Sequence, residues 1–475
     1  MKNVKQVVII GGGIAGLATA YFLQARARLA SMPIAYTLVE SGATFGGKIS
    51  SAREGGFVVE GGPDSFLTQK TIALELCRAL ALGDQLIGTS DVKRKTLVWS
   101  RGQLRPMPEG VMLIVPTRVM PFVRSSLISW PGKLRMGLDL LIPPRRDDGD
   151  ESLSHFVKRR LGAEALDKIA EPMIAGIYVS DAENLSLKST FPRLLDMEKK
   201  YGSLIRGMVQ QRRTSNGRGP HGEAPPSMFM TLRGGLHDLV EALVAHLDAN
   251  ALLCNTRVIA VGRDGDGYRV ALSSGNSLPA DSVVCATPAY VTAELLAGMA
   301  PALAGSLKSI RYVSTATVSL GFRRAEIHHP LDGFGFLVPK GERRRILACT
   351  WSSTKFSQRA PDEHVLLRVF IGGARSEQLA EQDDAALTLI AREELRAMMG
   401  IAAEPVLSKV FRWHKGNPQY DVGHLTRVAQ IEGLAAEFPG LYLAGSAYHG
   451  VGIPDCIQDG AHVADQILSR LREGS

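Results

Sequence analysis

The sequence predicts an α/β protein: a Rossmann-like βαβ unit at the start, a mixed-sheet region further on, and an inserted helical subdomain between them. Three observations carry this. A β-branched run, Val7 to Ile10, leads directly into glycines and then into a helical apolar pattern. Strand-like segments recur at Arg257 to Ala260, Tyr268 to Leu272, Ser282 to Cys285 and Leu441 to Leu443. The stretch from about 88 to 215 breaks that rhythm, being basic, punctuated by proline and mostly helical in pattern.

Taken in order, Ile14 to Leu29 reads as a helix with an apolar face of Ile14, Leu17, Ala18, Tyr21 and Ala25, and Tyr36 to Glu40 as the strand completing the βαβ unit. A Gly-Pro-rich polar loop, Ser215 to Pro226, closes the insertion, and Asp264-Gly265-Asp266-Gly267 turns one strand into the next. After Leu441 to Leu443 and Gly445, Pro454 opens a helix whose apolar face is Ile457, Ala461, Ala464, Ile467, Leu468 and Leu471. The expected division is a discontinuous nucleotide-binding domain (1–87, 227–295 and 411–475), the insertion (88–215) and a substrate-binding domain (296–410).

The 475 residues allow two or three domains, and 45% hydrophobic with 21% charged residues excludes a disordered chain. Five scattered cysteines without a C-x-x-C pair exclude a disulfide framework and a zinc cluster, and point to a reducing, cytoplasmic setting. No apolar run approaches the roughly 18 residues of a spanning helix. The net charge of +8 is local. Lys93 to Arg146 holds eleven basic residues against Glu109 and Asp139, a segment of +9. Apolar residues interleave with them: Val111 to Val115, Val119 to Val123, Leu127, Ile128, Trp130 and Leu138 to Ile142. Such a surface suits anionic lipid at the inner face of a membrane or an anionic substrate, or equally a solvated face over an ordinary helical subdomain, while no motif for nucleic acid accompanies it.

Gly11-x-Gly13-x-x-Gly16 lies between the first strand and the first helix, the context that gives this pattern its meaning. Gly11 permits the turn, Gly13 clears the approach of a pyrophosphate, and Gly16 lets helix pack on strand. The helix start then offers free N–H groups to phosphate. Glu40, ending the second strand, is placed to accept ribose hydroxyls. Gly46-Gly47-Lys48 and Glu60-Gly61-Gly62-Pro63-Asp64-Ser65-Phe66 add two more backbone-exposing segments, which imply a ligand longer than a nicotinamide dinucleotide. Ile49 stands where a triphosphate-binding loop needs Ser or Thr, so triphosphate hydrolysis is excluded.

The fingerprint, the Gly46-Gly47 pair, the strand ending in Thr287-Pro288 and Leu443-Ala444-Gly445-Ser446 resemble the flavin-dependent amine oxidase superfamily. Narrower motifs resemble protoporphyrinogen and coproporphyrinogen oxidases: Glu60 to Phe66, Glu171 to Tyr178 with Leu185-Ser186-Leu187 and Ser189 to Pro192, Pro418-Gln419-Tyr420 with Gly423-His424, and Gly450 to Cys456. The likeness spans nearly the whole chain and is nearer to bacterial coproporphyrinogen-type enzymes than to mitochondrial ones. It fits amine oxidases and carotenoid desaturases, the distant alternatives, less well.

The resemblance implies FAD held by Gly11, Gly12, Gly13, Ile14, Ala15 and Gly16, by Glu40, Ser41 and Lys48, by Gly62, Pro63, Asp64 and Ser65 near the flavin ring, by the Val258 backbone at the adenine, and by Ser446, Val451, Gly452 and Ile453. The helix opening at Pro454 would turn its positive end to the flavin. For substrate the resemblance implies Lys70 for a propionate, Gly176 for backbone approach and Phe370 as a pocket wall. It implies oxidation of a porphyrinogen to a porphyrin by six electrons in haem biosynthesis, with dioxygen as acceptor and hydrogen peroxide as product. Coproporphyrinogen III is the expected substrate and protoporphyrinogen IX the alternative. An arginine that pairs a propionate in mitochondrial relatives falls at Thr96 here, which favours the former. No catalytic base and no metal are expected, since positioning dominates such a reaction. His449 is read as a polar-rim residue.

Overall fold

The computed structural model describes residues 4–90, 95–108, 110–112, 114–116, 118–214 and 227–473. The predicted loop at 215–226, together with Lys93 and Arg94 of the basic segment, lies outside them. Strand β1 (Lys5–Ile10), helix α1 (Ile14–Leu29) and strand β2 (Ile34–Val39) form the predicted βαβ unit. Five parallel strands make its sheet, in the order Leu252–Leu253, β2, β1, Ser282–Cys285, Leu441–Leu443. Val7 to Ile10 are all buried, because helices cover one face of the sheet and other elements the second, which is why the strand reads as a continuous apolar run. The C-terminal helix, Ile453–Glu473, packs on α1 so closely that a Cβ on Gly460 would lie 2.7 Å from the Ala15 carbonyl oxygen.

A second sheet of seven strands carries the other half of the molecule. Its order is Leu407–Pro418, Tyr312–Arg323, His364–Gly372, Ala348–Trp351, Gly335–Leu337, Thr96–Ser100, Gln103–Pro106. Two expected boundaries move. Residues 96–100 and 103–106 are strands of this sheet and not helix, as suits the β-forming run Leu97-Val98-Trp99, and 407–418 is one uninterrupted strand. Alternation divides the sheet cleanly. Ala316, Val318, Leu320, Leu367, Val369, Phe336 and Cys349 share a core with Leu387, Ile390 and Leu395 of the helix Asp384–Met399. The opposite face carries one register row, Leu337, Ala348, Phe370, Thr317 and Phe411.

The insertion is helical from Val119 onward and has a core of its own, in which Phe156, Val157, Ile169, Leu185 and Leu194 are buried. The expected display of its apolar residues is corrected here: Ile114, Val115, Phe122, Leu127 and Ile128 fill that core. Among the described residues, the large apolar side chains of the insertion that stay exposed are Met120, Leu140, Val209 and a stripe of Trp130, Leu134, Leu138 and Leu141. The basic residues are also less free than their count suggests. Lys133 donates to the Val123 and Ser125 carbonyls, Arg135 to those of Lys158, Arg159 and Arg160, and Lys95 pairs with Asp332.

One buried pair pins the subdomain. Asp139, an acid of the basic segment, accepts from Arg160 Nε at 2.6 Å, Ser203 Oγ at 2.6 Å and the Ile205 amide at 3.0 Å, and both charges are fully buried. Arg160 also donates to the carbonyls of Ile142 and Gly202. Removing one partner of such a pair leaves a stranded charge and costs about 3–5 kcal/mol. Arg160→Met is therefore expected to destabilise the protein by about that amount in urea denaturation; a loss below about 1 kcal/mol would show that Asp139 is not held by Arg160.

Candidate active site

The first half of the site is a cradle at the carboxyl ends of the parallel strands. β1 ends at Ile10 and the chain turns through Gly11 at φ +108°, where a Cβ would lie 2.9 Å from the Ala286 carbonyl oxygen. α1 begins with no side chain capping it and no acid in its first turn, and a Cβ on Gly13 would meet nothing within 4 Å. The helix start thus presents bare amides to open space. Gly46 donates to the Gly12 carbonyl at 2.8 Å, laying the Gly46-Gly47 turn against the fingerprint. The Glu40 carboxylate is fixed beside it by the amides of Gly12 at 2.8 Å and Gly42 at 2.6 Å and by the Ser41 hydroxyl at 3.1 Å. Backbone bonds from Glu40 to Leu253 and from Thr256 to Glu40 bring the 253–256 segment alongside, with Val258 buried next to it among Val8, Ile10 and Val39.

The chain's last turn closes the cradle. Gly445 at φ +123° sits over Ala15, its amide held by Asp459 at 2.6 Å. The Ser446 carbonyl accepts the Tyr420 hydroxyl at 2.9 Å. His424 stacks on Tyr420 at 3.8 Å and faces the Tyr448 carbonyl through Nε2, so that nitrogen carries the proton; burial pulls the imidazole down to about 4 and keeps it neutral. The motifs Pro418 to Tyr420 and Gly423-His424 therefore shape the 446–448 turn. His449 pairs with Glu432 at 2.9 Å at the surface.

The second half is the loop after Glu60. The Gly61 carbonyl accepts from Thr317 Oγ1 at 3.1 Å, Arg368 Nη2 at 2.9 Å and Trp413 Nε1 at 2.9 Å, and Arg368 also reaches the Gly62 carbonyl. Asp64 meets Lys355 at 2.8 Å and Ser65 at 2.6 Å. Burial alone would raise the Asp64 carboxyl, but Lys355 and Arg368 hold it at about 2. Glu60 accepts from Ser51 at 2.5 Å and from the Leu236 amide at 2.9 Å, with Arg359 at 3.5 Å. Lys355, Arg359, Arg368 and Trp413 escape a reading of the sequence. Its only signal for them is that Glu60 and Asp64, set among glycines, need distant cations if they are buried.

The three residues expected to meet substrate come to one region. Phe370 lies in the register row, with the Arg368 guanidinium 4.8 Å from its ring centre, and Gly176 lies over Leu337 of the same row, 3.2 Å separating a Cβ on the glycine from that side chain. Tyr178, two residues on, lies near Asp455; burial and then that carboxylate push its hydroxyl up to about 12. Asp455 in turn pairs with Lys70. Asp455 also corrects the expected helix end. The C-terminal helix starts at Ile453, and the Asp455 carboxylate sits in its first turn, taking the Gly452 amide at 3.0 Å, so its positive end is not bare.

The cradle fits FAD. The uncapped start of α1 and open space at Gly13 suit a pyrophosphate, Glu40 a ribose, and Lys48 a phosphate or flavin oxygen. Lys48 is only partly covered yet lies deep in the protein, where burial lowers its pKa, and among the described residues its ammonium is answered by the Gly416 carbonyl. An anion there would supply the missing counter-charge.

Residues 14–468 match the profile of the flavin containing amine oxidoreductases. Coproporphyrinogen III oxidase of Propionibacterium freudenreichii subsp. freudenreichii is 40% identical over 97% of this chain and 90% of that one, and that of Bacillus subtilis 37% identical over 98% of each. Protoporphyrinogen oxidase of Bos taurus is 31% identical over 98% of each. A crystal structure from Exiguobacterium sp. 255-15, given as a candidate protoporphyrinogen oxidase, superposes with a TM-score of 0.86 at 32% identity, covering 99% of both chains. The chain belongs to the flavin-containing amine oxidoreductase family, in the branch that holds the coproporphyrinogen and protoporphyrinogen oxidases.

Proposed function

We propose that the protein oxidises coproporphyrinogen III to coproporphyrin III, with FAD as its redox group and dioxygen as the acceptor that returns it to use. The observation that carries this reading is the row of side chains from Leu337 through Ala348 and Phe370 to Thr317. Three strand spacings make it a floor roughly 14 Å wide, with the Gly61-Gly62 loop over one end and Gly176 over the other. A row of that length suits a planar macrocycle better than a small amine. The discontinuous nucleotide-binding unit would hold the cofactor and the seven-stranded sheet the substrate. Relatives bearing the coproporphyrinogen name reach 34–40% identity, while those named for protoporphyrinogen reach 25–32%, which favours the four-carboxylate substrate.

FAD, when bound, supplies the two-electron acceptor for each of three successive oxidations. The chain's part is placement. Phe370 and Leu337 would carry the macrocycle face, and Gly176, without a side chain, would let it lie close to the helix Glu171–Ile177. Lys70 would meet a propionate. Glu40 and Lys48 would hold the cofactor, and Arg368 with Trp413 would keep the Gly61-Gly62 backbone rigid for it. No side chain is assigned the part of a base.

A second role has its own observation. Trp130, Leu134, Leu138 and Leu141, at 64%, 72%, 48% and 78% exposure, form one stripe in a segment that also exposes Arg124 and Arg146. We infer that this stripe rests on an anionic membrane surface, aromatic and leucine side chains in the interface and cations at the headgroups. Among the described residues no helix is long and apolar enough to cross a membrane.

Oxygen uptake with coproporphyrinogen III and protoporphyrinogen IX side by side tests the main reading, with the former expected to turn over faster. Flavin bleached under anaerobic conditions by an amine, and by neither porphyrinogen, would overturn it. Glu40→Ala is expected to shed FAD on gel filtration, and a fully flavinated variant would place the ribose elsewhere. In liposome flotation, binding to anionic vesicles is expected to fall as salt rises and to fail for Trp130→Ser/Leu134→Ser; equal flotation of that variant would dismiss the stripe.

A further inference from the structure

Lys70 and Asp455 are paired through Nζ and Oδ1, yet the two partners differ in freedom. Lys70 is 62% exposed and stands in the turn ahead of the helix Ile72–Ala79. Asp455 is 18% exposed and cannot follow its partner. Its Oδ2 accepts the Gly452 amide at 3.0 Å, and the 450–452 loop is wrapped on the carboxylate so tightly that a Cβ on Gly450 or Gly452 would come within 2.4 or 2.8 Å of it. If Lys70 leaves, Asp455 keeps that amide and the positive end of its helix, so the carboxylate is not stranded. An ion pair with one fixed member, one free member and only the small cost of an exposed pair for parting is built for partner exchange.

We propose, on the reading that the substrate is a porphyrinogen with propionate arms, that Asp455 holds Lys70 in reserve and that a substrate carboxylate displaces it. Asp455 thereby sets the affinity for carboxylate-bearing macrocycles, acting through Lys70. It lowers that affinity for substrate and product alike.

Equilibrium binding of coproporphyrin III to the FAD-loaded protein tests this, with wild type, Asp455→Asn, Lys70→Ala and the double variant in one cycle. Asparagine keeps an acceptor for the Gly452 amide, and flavin absorbance checks the loop. Asp455→Ser, with a hydroxyl acceptor, repeats the cycle should Asp455→Asn lose flavin. Asp455→Asn is expected to tighten binding about two- to fivefold, the range an exposed pair is worth, and to have no effect once Lys70 is gone. Unchanged affinity in Asp455→Asn, or tightening that persists in the Lys70→Ala background, would overturn the exchange while leaving the substrate reading in place. Wild-type protein that binds no coproporphyrin would overturn the substrate reading and the exchange together.

Discussion

Two carboxylates taken out of water, Glu60 and Asp64, set the terms on which the halves of this molecule meet. Glu60 ends the strand Phe57–Glu60 and Asp64 lies in the loop that follows, and each finds its cation on the other side: Arg359 and Lys355 follow a strand of the seven-stranded sheet, and Arg368 lies within one. Of the two pairs Glu60 with Arg359 is the fully buried one, and severing it would cost about 3–5 kcal/mol, a penalty large against the stability of a folded domain. The backbone between the two acids is therefore held from both directions. Three donors converge on the Gly61 carbonyl, and the amide at Leu236 and the hydroxyl at Ser51 anchor Glu60. A cofactor laid along that backbone inherits its rigidity.

The same device fixes the insertion. Arg375 pairs with Glu171, whose other oxygen takes the Lys340 amide at 3.2 Å, and Lys340 itself meets Asp181 at 3.0 Å. These contacts bracket the helix Glu171–Ile177 and so determine where Gly176 stands over Leu337. Burial lowers the Arg375 guanidinium to about 10, still charged at neutral pH, so the pair persists. Glycine matters at this place because the sheet is already close; a methyl group would press on the Leu337 side chain.

The cradle was legible in the sequence because its physics is local. A β-branched run, three glycines at fixed spacing, a helix and a terminal acid are adjacent in the chain, and the structure places Gly11 to Gly16 and Glu40 as that grammar requires. The acid in the first turn of the last helix was overlooked because Asp455 reads as an ordinary N-terminal carboxylate until Lys70, 385 residues away, is found against it. Lys355, Arg368 and Trp413 were hidden for the same reason: strand pairing, not spacing, brings them to Gly61 and Asp64. The apolar residues of the insertion were misjudged because composition alone cannot separate a small buried core from a surface stripe. Only the helical phase of Trp130, Leu134, Leu138 and Leu141 does that, and it needs the helix boundaries first.

Titration around the site leads to a consistent mechanism. Asp64, held at about 2, stays ionised and bound to Lys355; His424, at about 4, stays neutral with its proton toward the Tyr448 carbonyl; Tyr178, at about 12, keeps its hydroxyl. From about pH 5 to 9 none of these three changes its charge. A group that must give and take protons works best with a pKa near the working pH, and these groups are driven away from it by burial and by their partners. They serve as fixed points of the scaffold. On the proposed reading, with FAD as electron acceptor and no side chain assigned as base, the chain's part would be to hold cofactor and substrate in register. The clamp on Gly61 would fix one side of that placement, and the ion pairs around Glu171 the other.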